Sequence, residues 1–145
     1  MKILLPVDGS ALALEAVRFA IRMVLAGLRA DAVLANVQEP AHLYELLVAH
    51  DPDLIDRASA DAGLHALVEA RALLDAAGVA YEVEVAKGDP AHTIIEMTER
   101  FGCDLVVMGA RGTSALRSAM MGSVSNEVLH ASAVPVMIVK PDEVG

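Results

Sequence analysis

Gly109-Ala110-Arg111-Gly112, nine further residues, and Gly122-Ser123-Val124-Ser125 make up the stretch of this chain whose residue types suit a defined chemistry, the holding of an anion. Glycines let a backbone approach a ligand closely and take positive φ. A helix starting near Gly122 would offer unpaired N–H groups and the positive end of its dipole. Ser123 and Ser125 would add hydroxyl donors. Arg111 and Arg117 are the charges between positions 105 and 126, and no acid falls there. The chain holds 20 Asp and Glu in 145 residues, so about three acids are expected in a window of that size. Their absence suits a site that must not repel phosphate. The same residues also suit a plain glycine loop and helix cap. The apolar run before Gly109 and the missing acids favour phosphate.

A second candidate is Val7-Asp8-Gly9-Ser10, at the end of a short apolar run. No G-x-G-x-x-G follows that run, and no G-x-x-x-x-G-K-[ST] occurs anywhere, so two common phosphate signatures are missing. Asp8 at a strand end also suits a phosphoryl acceptor of the receiver-domain kind, and Lys140-Pro141 fits that reading. Receivers need an acidic pair beside that Asp and a second Asp ending the third strand. Here Asp8 has no acidic neighbour and the third strand ends Ala86-Lys87. His42, His50, His65, His92 and His130 share no metal-ligand spacing, and no metal site is expected from protein side chains alone. Cys103 is expected to be a small buried hydrophobe.

The elements that must position these residues alternate along the chain. Residues 3–7 read as a buried strand, with Ser10 as the cap of a helix carrying Leu14, Val17, Ile21, Val24 and Leu28 on one face. Residues 32–37 form a second apolar strand. Residues 41–52 suit a short helix or a flap over the site. A single long helix is expected over 54–77, with Ala60, Leu64, Leu67 and Leu74 inward and Gly78 ending it. Residues 79–86 alternate Val79, Tyr81, Val83 and Val85 with Ala80, Glu82, Glu84 and Ala86, as a strand with one wet face at a sheet edge does. Asp89 caps a third helix with Pro90 in its first turn. Residues 105–108 and 134–139 form the last two strands, with a helix over about 122–131 between them. This order predicts an α/β fold, a doubly wound parallel sheet with helices on both faces. Ligands bind such sheets beyond the carboxyl ends of the strands, where the connections reverse direction.

Length predicts one domain, residues 1–141, with a polar tail at 142–145. A net charge of −9 argues against nucleic acid and against an anionic membrane surface. No apolar run has the length of a membrane span. A lone cysteine forms no internal disulfide, and the first ten residues lack a signal peptide's long apolar region. A reducing, cytoplasmic setting is therefore expected.

Gly109-x2-Gly112-x9-Gly122-Ser123 resembles the nucleotide-binding motif of the universal stress protein family, in its ATP-binding branch. The resemblance covers nearly the whole chain, through "ILLPVDGS", "LANVQEP", "KGDPAHTIIE", "CDLVVMGARG" and "VPVMIVK". It implies a five-stranded, Rossmann-like sheet of order 3-2-1-4-5, as in the adenine nucleotide alpha hydrolases. It implies ATP as ligand, with Mg²⁺. Asp8 would then lie near the adenine and ribose, and Val37 would offer its backbone to the adenine edge. Asn36 stands where the family commonly has His. Gly109 and Gly112 would wrap the ribose and phosphates, and Gly122, Ser123, Val124 and Ser125 would hold the phosphates. Pro6 and Arg111 would also belong to the nucleotide site. The family dimerises through its last strand, so a homodimer through residues 134–139 is expected, with Pro135 blunting part of that edge. The implied role is a nucleotide-dependent regulatory protein of the stress response, with slow ATP hydrolysis or none. The alternative is a dimeric interaction module whose site is vestigial or takes AMP or cyclic AMP. The protein partner is not named by the sequence.

Overall fold

The structure is a computed structural model that describes residues 1–39, 52–111 and 121–141, with the side chains of 52–55 left aside. Ten elements follow one another: β1 (Lys2–Pro6), α1 (Ala11–Leu25), β2 (Asp31–Gln38), α2 (Pro52–Ala66), α3 (Val68–Ala77), β3 (Tyr81–Lys87), α4 (Pro90–Arg100), β4 (Leu105–Gly109), α5 (Ser123–Ala131) and β5 (Val136–Val139). All strand pairs are parallel, in the order β3-β2-β1-β4-β5. The expected order and class are met, and the alternating third strand lies at an edge.

Alternation along the strands splits the apolar residues between two cores. Ile3, Leu5, Ala32, Leu34 and Val107 face α1 and α3. Leu4, Val33, Ala35, Val106 and Met108 face α4 and α5. Leu4, Val33 and Val106 are fully buried, and each such side chain contributes about 1.5–3 kcal/mol. The starts and stops read from sequence hold at three helices. Ser10 accepts from the Ala13 N–H at 3.2 Å, Asp89 accepts from the His92 N–H at 3.0 Å, and Gly78 closes α3 at φ 72°.

The single helix expected over 54–77 is instead two. The Leu67 N–H donates to Leu64 O in a tight turn, and Leu67 ends α2 and precedes α3. The break redirects the chain: α2 lies on β2 and β3, whereas α3 lies beside α1. The inward residues change accordingly. Ala60 and Leu64 are exposed, and Ser59, Gly63, Leu67, Ala70 and Leu74 are buried. Gly63 is inward because α2 sits hard on the sheet, where a Cβ would run into Val85 Cγ1. Lys87 ties the same helix down through an ion pair with Asp56.

Strand bounds move by one or two residues. The last strand starts at Val136 rather than 134, and Pro135 turns its carbonyl to the Val106 N–H. The Ala110 N–H bonds Val139 O in the same ladder. Odd-numbered residues of β5 therefore face β4, and the outward backbone groups are those of Val136 and Ile138. Pro135 does not blunt that edge. Residues 40–51, with the segment whose form was left open, and the tail at 142–145 lie outside the described residues.

Candidate functional site

A cavity of about 510 Å³ opens beyond the carboxyl ends of β1, β2 and β4. This is where β1 and β4 lie side by side while their connections leave in opposite directions. Pro6 and Asp8 reach it from β1, and Val37 from β2. Gly109 and Arg111 enter from β4, and Gly122, Ser123, Val124 and Ser125 from the start of α5. Residues more than a hundred positions apart thus meet at one place. Gly112, Arg117 and Met120 lie outside the described residues, as do His42 and His50. His65 and His92 are exposed, and no metal-binding group occurs among the described residues.

Three helices open onto this cavity through Ala13, Pro90 and the α5 start. α1 and α4 each have one first-turn N–H capped, that of Ala13 by Ser10 and that of His92 by Asp89. α5 has Gly122 as its cap residue and no side-chain cap. Its first-turn N–H groups at Ser123, Val124 and Ser125 therefore have no intrahelical acceptor, and no side-chain cap among the described residues. An anion in the cavity would meet them and the positive end of the α5 dipole.

The glycines act differently from expectation. Gly109 and Gly122 do not take positive φ, and Gly122 sits at φ −67°. Gly109 suits close packing, because a Cβ there would lie 3.1 Å from the Leu12 backbone and α1 would have to give way slightly. At Gly122 a Cβ would make ordinary contact with Arg111 Cα at 3.4 Å. The hydroxyl of Ser125 is also redirected. It is 2% exposed and donates to Gly109 O at 2.8 Å, so it ties α5 to β4 rather than pointing at a ligand.

The β1–β2 end of the cavity follows from the hydrogen-bond ladder. Asp31 and Ala35 bond towards β1, through Met1 O and the Val7 N–H, while Ala32 and Gln38 bond towards β3. By that alternation the N–H and C=O of Val37 face the β1 side. The β1–β2 register ends at Pro6 and Ala35, so no β1 residue pairs with Val37. Gly9, at φ 87°, turns the chain away into α1. Asp8 Oδ1 accepts from the Ser10 N–H at 2.9 Å and shapes that turn.

Sequence reasoning missed several walls of the site. Ala35, Ile94 and Met108 are apolar walls. Asn36 is 3% exposed, lines the cavity, and donates from Nδ2 to Val7 O at 2.8 Å. The signal available was their position in the second halves of β2 and β4 and in the first two turns of α4. Among the described lining residues the charged side chains are Asp8, Glu39 and Arg111. Burial pushes the Cys103 thiol up, away from the thiolate, which agrees with an unreactive packed residue. No described helix is long and apolar enough to cross a membrane.

The model of the universal stress protein family matches residues 1–140. Universal stress protein MJ0531 of Methanocaldococcus jannaschii is 31% identical over 139 residues, 96% of this chain and 81% of that protein. Universal stress protein YxiE of Bacillus subtilis is 31% identical over 147 residues, 96% and 98% of the two chains. The solved structure of MJ0577, also from Methanocaldococcus jannaschii, has the same fold at a TM-score of 0.83, with 23% identity and coverage of 98% and 96%. A universal stress protein crystallised in complex with cyclic AMP aligns at a TM-score of 0.66, with 26% identity over 97% and 96% of the chains.

Proposed function

The chain belongs to the universal stress protein family, and on that premise we propose that it binds an adenine nucleotide and acts as a nucleotide-dependent regulator of a stress response. One observation carries the reading. The β1, β2 and β4 ends and the α5 start, which has no side-chain cap among the described residues, converge on a space of about 510 Å³, within the range of small-molecule sites. Ala35, Ile94 and Met108 give a base an apolar bed. Val37 gives its edge a donor and an acceptor. The α5 start gives phosphates N–H groups, with Arg111 beside them. The relative in complex with cyclic AMP supports the adenine class.

ATP with Mg²⁺ is the ligand this reading favours. The α5 start extends the site beyond a nucleoside, and a triphosphate gains most from it. When bound, Mg²⁺ would offset charge on the phosphates, and the chain's own residues would hold the rest. Hydrolysis is slow or absent. Rapid phosphoryl transfer needs a positioned water and several cations, and Arg111 is the one cation among the described lining residues. The protein works as a homodimer through the open edge of β5, whose outward groups belong to Val136 and Ile138.

A second reading keeps the dimer and gives the site AMP or cyclic AMP, or no ligand. The relative in complex with cyclic AMP favours it. Gly122→Asp separates the readings. Space for the new Cβ exists, and Asp is a good N-cap, so the fold is kept. A carboxylate at the α5 start should abolish ATP binding and any regulatory effect that depends on it. A regulatory effect that survives in this variant supports the second reading and contradicts the first.

A further inference from the structure

We propose that Asn36 is a positioning residue for the base end of this site: its amide takes up the Val7 carbonyl and so leaves the Val37 backbone N–H to the ligand, beside the Val37 C=O that the turn at Gly9 leaves open. The inference rests on the nucleotide reading and adds to it the device that keeps the β1–β2 ladder from closing over the base edge.

The ladder gives the reason. In the β1–β2 pairing the Asp31 N–H donates to Met1 O, and the Val7 N–H donates to Ala35 O. Continued by one step, the same pattern would bring the Val37 N–H to Val7 O. Asn36 Nδ2 already holds that oxygen at 2.8 Å. The amide's orientation is fixed from its other side, because Gln38 Nε2 donates to Asn36 Oδ1 at 2.6 Å. α2 passes close above the same Oδ1, where a Cβ added at Gly63 would come within 3.0 Å. Asn36 is thus held by the end of β1 and by the end of β2, at 3% exposure.

The consequence is chemical. Val37 presents an N–H donor and a C=O acceptor side by side towards the cavity. A ring edge with an acceptor beside an amino donor, the N1 and N6 edge of adenine, complements that pair. Hypoxanthine carries the reverse, a ring N–H beside a carbonyl oxygen, and does not. Selectivity between the two bases therefore depends on Val37 staying unpaired from Val7.

Asn36→Asp removes the donor to Val7 O while Gln38 keeps its acceptor. The dissociation constants of Mg·ATP, Mg·ITP and inorganic tripolyphosphate are measured for the unaltered chain and the variant, with melting temperature as a check on folding. The expected result is ATP binding weaker by about tenfold, loss of the preference for ATP over ITP, and tripolyphosphate affinity unchanged within about twofold. A folded variant with unchanged ATP affinity and preference overturns the role. An equal loss for all three ligands overturns it too, because a purely structural residue would act in that way. If Asn36→Asp fails to fold, Gln38→Leu releases the amide to turn and should shift the ATP-to-ITP ratio in the same direction, by about threefold. An unchanged ratio there overturns the role. Failure of the unaltered chain to bind ATP overturns the nucleotide reading itself. Binding by the unaltered chain with selectivity retained in the variants overturns the Asn36 role alone.

Discussion

Ser125 Oγ donates to Gly109 O at 2.8 Å, across 16 residues of chain, and fastens the first turn of α5 to the last residue of β4. Both groups are buried. The bond fixes the distance between the start of α5 and the sheet end that carries Arg111. Ser125→Ala leaves the Gly109 carbonyl without that donor. It should lower stability by about 1–3 kcal/mol, read as a shift of the urea midpoint. It should also weaken nucleotide binding although the Ser125 hydroxyl does not point into the site, and titration calorimetry checks this.

Gly109 sits against the start of α1. A Cβ there would lie 3.1 Å from Leu12 C, O and Cγ, and the backbone of α1 must shift to admit it. Gly109→Ala is expected to cost about 1–3 kcal/mol. Gly122→Ala meets its nearest atom at 3.4 Å and should change stability by less than about 1 kcal/mol. Paired denaturation curves of the two variants test the contrast. Equal losses would show that Gly109 is not held by packing.

Much of this arrangement was legible in the sequence. Apolar runs gave the strands, Ser10 and Asp89 gave two helix starts, and the wet face of Tyr81–Lys87 gave a sheet edge. The candidate site was legible where residue type signals geometry, as at Gly122-Ser123. It was not legible where tertiary contact decides. Leu67 has a helix-forming side chain, yet it is the turn between α2 and α3, because the two halves pack on different partners. Ala60 and Leu64 fit an apolar stripe and are exposed, since the sheet admits only the small face of Ser59 and Gly63. The glycines were expected to act through positive φ. At Gly109 the structure uses the missing Cβ instead. The resemblance sets Asn36 beside Val37, but the bond from Asn36 to Val7 O is a tertiary contact that the sequence does not signal.

Cys103 is 5% exposed, and desolvation by burial is the main cause of its raised pKa. The folded chain therefore holds the thiol proton more tightly than the unfolded chain does. This group's contribution to stability is full below the ordinary thiol pKa and falls as pH rises past it. Native protein should react with a thiol reagent at pH 8 far more slowly than denatured protein does. Equal rates would mean an open thiolate.

β5 leaves the N–H and C=O of Val136 and Ile138 at the sheet edge. If two copies join there, sedimentation should give twice the chain mass of 15.2 kDa. Ile138→Pro removes one outward N–H without taking a donor from the β4 ladder. It should shift the population to the single chain at micromolar concentration. A dimer of unchanged strength would place the interface elsewhere.

The central claim is that the cavity beyond β1, β2 and β4 holds an adenine nucleotide with its phosphates at the α5 start. Its most direct test is the melting temperature of desalted, nucleotide-free protein with and without millimolar Mg·ATP, beside AMP and cyclic AMP. A micromolar site filled about a thousandfold over its Kd adds about 4 kcal/mol, which is a rise of about 10 °C for a chain of this size. The account predicts that rise with ATP, a smaller one with AMP, and none with ATP in Gly122→Asp. No rise with any of the three nucleotides would contradict it.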